Sequence, residues 1–333
     1  MHTPEKNKSR SAAPTPLVSV CMLAYNVEAF IEQAIEGVLR QQTDFAVELV
    51  IGEDCSTDGT RAICARYAAD HPGTVILLPG EVNLGIAGNA ARTLQHCRGK
   101  YIAICDGDDI WADPDKLRNQ VGFLEQNPGY GAVYTDVETI STDGTVIDDP
   151  EHQLIREQYA SGNIFFKLLG GNFVNNSTAV FRRAFLDGYQ IDCDRNYYTH
   201  DYLLWLHIAT ESKIHFIDAK TTQYRKHAGG VTNSVAKLAS NKQKFQYHLY
   251  KILLHFHYNY PEPITSQERM MIFQKMLSVL YRKENNVQMK TRMLSLLPRY
   301  FPGLLGITKI VLSKIGLPLI HTMNDNVLTT NLE

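Results

Sequence analysis

The sequence predicts an α/β protein: a doubly wound, mostly parallel sheet flanked by helices, with a helical extension at the C-terminal end. Three observations lead there. From Leu17 onward, strand and helix patterns alternate four times in about 110 residues. Three of the four strands end in polar residues of ligand-binding type: Tyr25-Asn26, Glu53-Asp54 and Asp106 to Asp109. From Val235 the pattern is helical, with breaks at Pro261-Glu262-Pro263, Pro298, Pro302-Gly303 and Pro318.

The elements follow in order. Leu17 to Ala24 is an apolar strand ending at Tyr25-Asn26. Ile31, Ala34, Ile35, Val38 and Leu39 fall on one face of the first helix. Val47 to Gly52 is the second strand, and Ser56, Thr57 or Asp58 supplies a cap for a helix running to about Asp70. Val75 to Leu78 is the third strand, and Asn83-Leu84-Gly85 opens a third helix ending at Arg98-Gly99. Tyr101 to Cys105 is the fourth strand. Asp113 and Pro114 then start a helix with Leu117, Val121 and Leu124 as its buried stripe.

The second half is less regular. Strands are expected at Tyr130–Ile140, Asn175–Phe181, Ile214–Ile217 and Thr222–Tyr224, and helices at Ile164–Leu169 and Thr199–Thr210. Asp148 to Tyr159 reads as a polar surface loop.

Bulk properties narrow the function. With 44% hydrophobic and 20% charged residues the chain is globular, and a net charge of −2 offers no basic field for nucleic acid. Six cysteines without a C-x-x-C spacing read as reduced thiols of a cytoplasmic protein. Residues 1–16 are polar and read as a disordered arm, not a signal peptide. No G-x-G-x-x-G follows the first strand, and G-x-x-x-x-G-K-[ST] is absent, which argues against nicotinamide enzymes and P-loop NTPases.

The focus is Lys100 to Trp111. An apolar strand stops on Asp106, Asp108 and Asp109 with Gly107 between them. Three like charges within four residues repel unless a cation sits among them, and a hard divalent ion carrying a phosphate suits oxygen ligands. Gly107 permits a tight turn or close approach to a ligand. The alternative is a solvated acidic turn.

In combination and order, these pieces resemble the inverting nucleotide-sugar glycosyltransferases of the GT-A family usually called family 2, of the kind that builds bacterial polysaccharide, capsule or O-antigen. The matching pieces are Val18-Ser19-Val20 to Tyr25-Asn26, Glu53-Asp54-Cys55-Ser56-Thr57-Asp58-Gly59-Thr60, Asn83-x-Gly85, Gly99 to Ala103, and Asp106-Gly107-Asp108-Asp109. His200-Asp201-Tyr202-Leu203-Leu204-Trp205 and Tyr224-Arg225-Lys226-His227 follow, so the resemblance covers about residues 17–233. Two places depart from it. Many relatives read Asp-Asp-Gly-Ser where this chain has Glu53-Asp54-Cys55-Ser56, and Ala-Arg-Asn where it has Asn89-Ala90-Ala91-Arg92.

The resemblance implies a GT-A domain over 17–233, a UDP- or dTDP-sugar donor and Mn²⁺ or Mg²⁺ held by the Asp-x-Asp pair; the helical pattern beyond it reads as a C-terminal extension over 234–333. Asp106 and Asp108 are the implied metal pair, with His227 as a third ligand or a structural histidine. Donor contacts are assigned to Tyr25, Asn26, Asp54, Asn83, Gly85, Asp106 and Gly107. Asp54 either reads the base or caps a helix; Tyr25 and Asn26 either bind the nucleoside or close the strand. Asp109 either joins the metal site or instead caps the turn or bonds backbone. Asp201 is the implied catalytic base, with helix capping as the alternative.

The expected reaction moves a sugar to a glycan or lipid-linked acceptor. The alternatives are a nucleotidyltransferase, which would want a Gly-rich, Arg-containing loop where this chain reads Ala24 to Glu28, and an inactive nucleotide-sugar-binding module. Leu294 to Ile320 is apolar, with Arg299, Lys309 and Lys314 and no acid, and reads as a peripheral membrane contact or an ordinary helical cap.

Overall fold

A computed structural model describes residues 15–189, 200–230, 239–259, 265–283 and 285–294. The polar arm up to residue 14 and the apolar segment from 295 to 320 lie outside the described residues. The chain forms two compact units, Met1–Ser234 and Val235–Glu333.

The first unit is organised around β1 (Val18–Ala24), which runs parallel to both of its neighbours, β2 (Val47–Glu53) and β4 (Tyr101–Ile104). Successive side chains of a strand point to opposite faces, yet Val18, Val20, Cys21 and Met22 are all buried. Both faces of β1 are therefore covered, as its near-continuous apolar run requires. β3 (Val75–Pro79) extends the parallel half beyond β2. Helices α1 (Ile31–Leu39), α2 (Thr60–Asp70) and α3 (Gly85–His96) connect these strands.

The other half of the sheet is mixed, and the full order is β3-β2-β1-β4-β7-β6-β8-β5. β7 (Val180–Arg182) enters antiparallel between β4 and β6 (Tyr130–Ile140). β8 (Lys213–Arg225) runs parallel to β6, and β5 (Ile110–Trp111) closes the far edge against it. β1 lies between strands whose connections leave in opposite directions, the position where open α/β sheets bind ligands.

Several expectations change in the second half. Asp148 to Tyr159 is not a plain loop. It contains α5 (Pro150–Arg156), started by a proline in its first turn and tied to the sheet by Arg156 Nε, 2.8 Å from the buried Asp136. Asn175–Phe181 is only partly strand: Asn176–Thr178 is a 3₁₀ turn, because Asn175 Oδ1 accepts from the Ser177 N–H and folds the chain back. The two short strands expected between 214 and 224 are one long strand, β8, whose register on β6 shifts near Asp136.

α4 (Lys116–Gln126) starts two residues later than Pro114 suggests. Asp113 Oδ1 accepts from the Asp115 N–H and forms a turn ahead of the helix. α6 (Phe165–Gly170) and α7 (His200–Glu211) complete the unit. Fully buried Trp111, Tyr101 and Trp205 anchor the core, and each large apolar side chain contributes about 1.5–3 kcal/mol on burial. Trp205 packs edge-on against Phe181 at 5.8 Å and belongs to the core.

The second unit contains α8 (Ala239–Asn259), α9 (Ser266–Leu280) and α10 (Val287–Leu294). Among the described residues no helix is long and apolar enough to cross a membrane.

Candidate active site

A cleft of about 560 Å³ opens where β1, β2 and β4 end. Tyr25, Asn26, Asp54, Asn83, Gly85, Asp106, Asp108, Asp201 and His227 all line it. Gly107 does not. It lies beneath the cleft, where its N–H donates to Leu23 O at 3.1 Å and a Cβ would sit 2.8 Å from that oxygen. Its glycine is required by close backbone approach.

The β1 and β2 ends are clasped together. Asn26 adopts φ +51°, a left-handed conformation that asparagine tolerates, and its Oδ1 accepts from the Thr57 N–H at 2.8 Å. Asp58 accepts from the N–H groups of Glu28 and Thr60. Cys55 is also left-handed, at φ +61°, a conformation that glycine adopts without steric cost. Glu53 is fully buried and bonds the Ser56 N–H and Arg61.

Asp54 is buried at the start of α3. Its Oδ1 accepts from Leu84 N–H at 2.8 Å and its Oδ2 from Gly85 N–H at 2.9 Å. It therefore caps α3 while lining the cleft. Burial raises its pKa, partly offset by these two backbone donors. Asn83 Nδ2 donates to Asp54 O, which locks this floor. At the departure after Gly85, Asn89 Nδ2 donates to Gly52 O, and Arg92 donates to the carbonyls of Glu53 and Leu78. Both side chains hold strand ends; Asn89 also lines the cleft.

The acidic loop after β4 is held by residues that sequence reasoning passed over. Asn176 Nδ2 donates to both oxygens of Asp106, at 3.2 and 3.1 Å. Ser177 Oγ accepts from the Asp106 N–H and donates to Asp109 Oδ2 at 2.5 Å. The Arg225 N–H donates to the other Asp109 oxygen at 3.0 Å. Asp109 is thus the buried member that bonds the framework, and burial with its acidic neighbours drives its pKa well up. The polar run Asn175-Asn176-Ser177-Thr178, set against an apolar strand, was the available signal.

Arg225 spends its guanidinium on Asp108 O, Ser141 O, Thr142 O and Gln33 Oε1 rather than on a carboxylate. Burial and Asp108 push Asp106 up to about 7. Asp108 Oδ2 lies 2.9 Å from His227 Nε2, and the imidazole packs edge-on against Phe30 at 4.7 Å.

These groups fit a divalent cation. Carboxylate oxygens and an imidazole are suitable donors. Burial first, and then the charge of Asp108, disfavours the ionised form of Asp106. Among the described residues no three acidic, His or Cys side chains converge as a complete metal cage. Mg²⁺-type sites commonly use one or two carboxylates and take the remaining ligands from substrate phosphates and water.

Asp201 stands in the first turn of α7, and its Oδ2 accepts from Asn172 Nδ2 at 3.1 Å. Two effects oppose each other here. Burial raises the Asp201 pKa; His200, the Tyr202 N–H and Asn172 lower it, and burial wins. His200 is buried, its Nδ1 has no hydrogen-bond partner among the described residues, and burial lowers its pKa. The cleft lining also includes Phe173, Ile155, Tyr159 and His152. His152 Nε2 lies 2.9 Å from the buried Asp136, and Lys226 pairs with Asp149 at 2.7 Å.

Comparison with known proteins places this geometry in a family. The chain is 32% identical over 218 residues to the uncharacterized protein Rv1520 of Mycobacterium tuberculosis, a match covering 65% of this chain and 61% of that protein. It is 30% identical over 202 residues to the UDP-Glc:alpha-D-GlcNAc-diphosphoundecaprenol beta-1,3-glucosyltransferase WfgD of Escherichia coli, covering 61% and 73% of the two chains. In fold it resembles residues 1–349 of S. aureus TarS, crystallised with UDP, with a TM-score of 0.61 at 14% identity over 88% of this chain and 82% of that one. That likeness assigns the GT-A fold. The sequence pattern described as Glycosyl transferase family 2 matches residues 19–189, just over half of the chain. With the strand-end carboxylates gathered at one cleft, the chain belongs to glycosyl transferase family 2.

Proposed function

We propose that this protein transfers a sugar from a UDP- or dTDP-linked donor to an acceptor hydroxyl, with inversion at the anomeric carbon, in the synthesis of a cell-surface polysaccharide or glycan. The observation that carries this reading is the shared cleft: Asp54, Asp106, Asp108 and His227 line it together with Asp201. WfgD, named for a UDP-glucose donor and a lipid-linked acceptor, supports the donor and acceptor classes.

Tyr25, 47% exposed at the cleft, offers a face on which the base stacks. Asp54 accepts from the base N3–H in this reading, supported by its place in the cleft lining beside Asn83 and Gly85. Asp106, Asp108 and His227 hold Mn²⁺ or Mg²⁺. The cation, when bound, acts as a Lewis acid toward charge growing on the diphosphate. Asp201 takes the acceptor hydroxyl proton as that oxygen bonds to the anomeric carbon and the sugar–diphosphate bond breaks. The nucleoside diphosphate leaves with the bonding electron pair.

The test is release of nucleoside diphosphate from a panel of nucleotide sugars, with Mn²⁺ and with excess chelator. Release from a uridine or thymidine donor that chelator abolishes is the expected result. A preferred guanosine donor would overturn the donor assignment, and undiminished turnover in chelator the metal assignment. Binding without any release would favour the inactive-module reading.

A further inference from the structure

The near-neutral charge of the chain conceals a strong division. Thirteen of its 33 Lys and Arg residues fall in 235–333, against five of its 35 Asp and Glu residues. The second unit therefore carries +8, and residues 1–234 carry −10.

The same unit displays an exposed apolar stripe on α9. Ile272, Met276, Val279 and Leu280 bury one side of that helix. Met270, Leu277 and Tyr281 recur at spacings of seven and four, which brings them to a different face. They are 54%, 38% and 70% exposed. Tyr281 continues the helical face, because its N–H donates to Leu277 O at 3.0 Å. Met271, 46% exposed, widens the stripe, and Arg282 and Lys283 are exposed directly beyond it.

We propose that this face of α9 is a docking surface for an anionic lipid membrane. Exposed large apolar side chains in a row favour insertion at the boundary between headgroups and acyl chains. A unit with a large positive charge, attached to an acidic one, selects an anionic partner. The long Lys and Arg stems reach the headgroups while Met, Leu and Tyr enter below. This surface lies within the described residues and is distinct from the apolar segment Leu294 to Ile320.

The experiment floats the full chain with vesicles of phosphatidylcholine alone and of phosphatidylcholine with phosphatidylglycerol. The same is done with the Met270→Ser/Leu277→Ser/Tyr281→Ser variant, which leaves 295–333 and the buried side of α9 intact. Thermal melting confirms that the variant folds, and donor hydrolysis is scored separately, so failure of the catalytic reading and of this one are distinguishable. Wild-type protein is expected to float with anionic vesicles only and to be released by high salt. The variant should partition about tenfold less while keeping its melting temperature. Equal flotation of wild type and variant overturns the proposal, as does equal binding to zwitterionic vesicles. A wild-type dimer that the variant dissociates, without vesicle binding, assigns the face to a second copy and overturns it too. So does capture by a nucleic acid in place of vesicles.

Discussion

The Ser177 hydroxyl donates to Asp109 at 2.5 Å while accepting from the backbone N–H of Asp106, so one buried side chain fixes two members of the acidic loop. The arrangement is held from behind: Trp111 Nε1 donates to Ser177 O at 2.8 Å, and Lys116 Nζ donates to Thr178 O at 2.8 Å. Ser177→Ala leaves a buried carboxylate short of a donor, which costs about 1–3 kcal/mol. The variant is expected to melt earlier and to lose turnover, since a displacement of about 1 Å in a catalytic group costs on the order of 10²-fold. Thermal melting and donor turnover measure the two effects; an unchanged melting temperature would deny the framework role.

Asp201→Asn preserves the hydrogen bond from Asn172 and any cap on α7, because asparagine accepts through its amide oxygen. It cannot take a proton. The expected result is a kcat lower by about 10²–10⁴-fold with donor affinity nearly unchanged. Acceptor titration at saturating donor separates the two terms, and wild-type kcat would move the base elsewhere.

The rate should also depend on pH through Asp201. Burial raises its pKa above the usual carboxylate range, and the base form is the deprotonated one. Transfer therefore falls as pH drops through the raised value, at higher pH than an exposed aspartate would give. Tyr202→Phe is a useful control, because it removes only the hydroxyl that donates to Leu168 O at 2.6 Å and leaves the backbone N–H facing Asp201. Its profile should keep the wild-type midpoint.

Asp54→Ala removes both the cap of α3 and the carboxylate proposed to read the base. The capping loss alone costs about 1 kcal/mol, so the variant should melt earlier as well as bind donor more weakly. Asp54→Asn retains an acceptor for one of the two backbone donors and should recover part of the stability. Donor KM should rise more than kcat falls, as for a contact shared by ground and transition states.

Lys116 gives a stability prediction. It is fully buried among Gln120, Thr178 O and the Trp111 ring, and burial lowers its pKa to about 7. The unfolded chain keeps the usual lysine value of about 10.4. Between those values the unfolded state binds more protons, so stability rises with pH across that window, by at most about 1.4 kcal/mol per unit. Lys116→Met should flatten this dependence relative to wild type, measured by urea unfolding at pH 7, 8 and 9. An identical slope in both would show that Lys116 does not titrate there.

The sequence by itself determined the parallel half of the fold and the residues that reach its edge. The strands announce themselves by apolar runs, α1 by its apolar periodicity, and α2 and α3 by the capping and terminating residues around them; β1, β2 and β4 deliver Tyr25, Asp54 and Asp106 to the cleft because a strand ends where its apolar run ends. Tertiary structure decided the rest. No local signal places β7 antiparallel beside β4, yet that pairing sets Asn176 and Ser177 against Asp106 and Asp109. Nor does periodicity show that β8 is one strand carrying Arg225 to Asp109 and His227 to Asp108 across 119 positions. The physical reason is that backbone pairing over such separations depends on the packed sheet as a whole, whereas the hydrophobic pattern of a segment reports only which of its faces is buried.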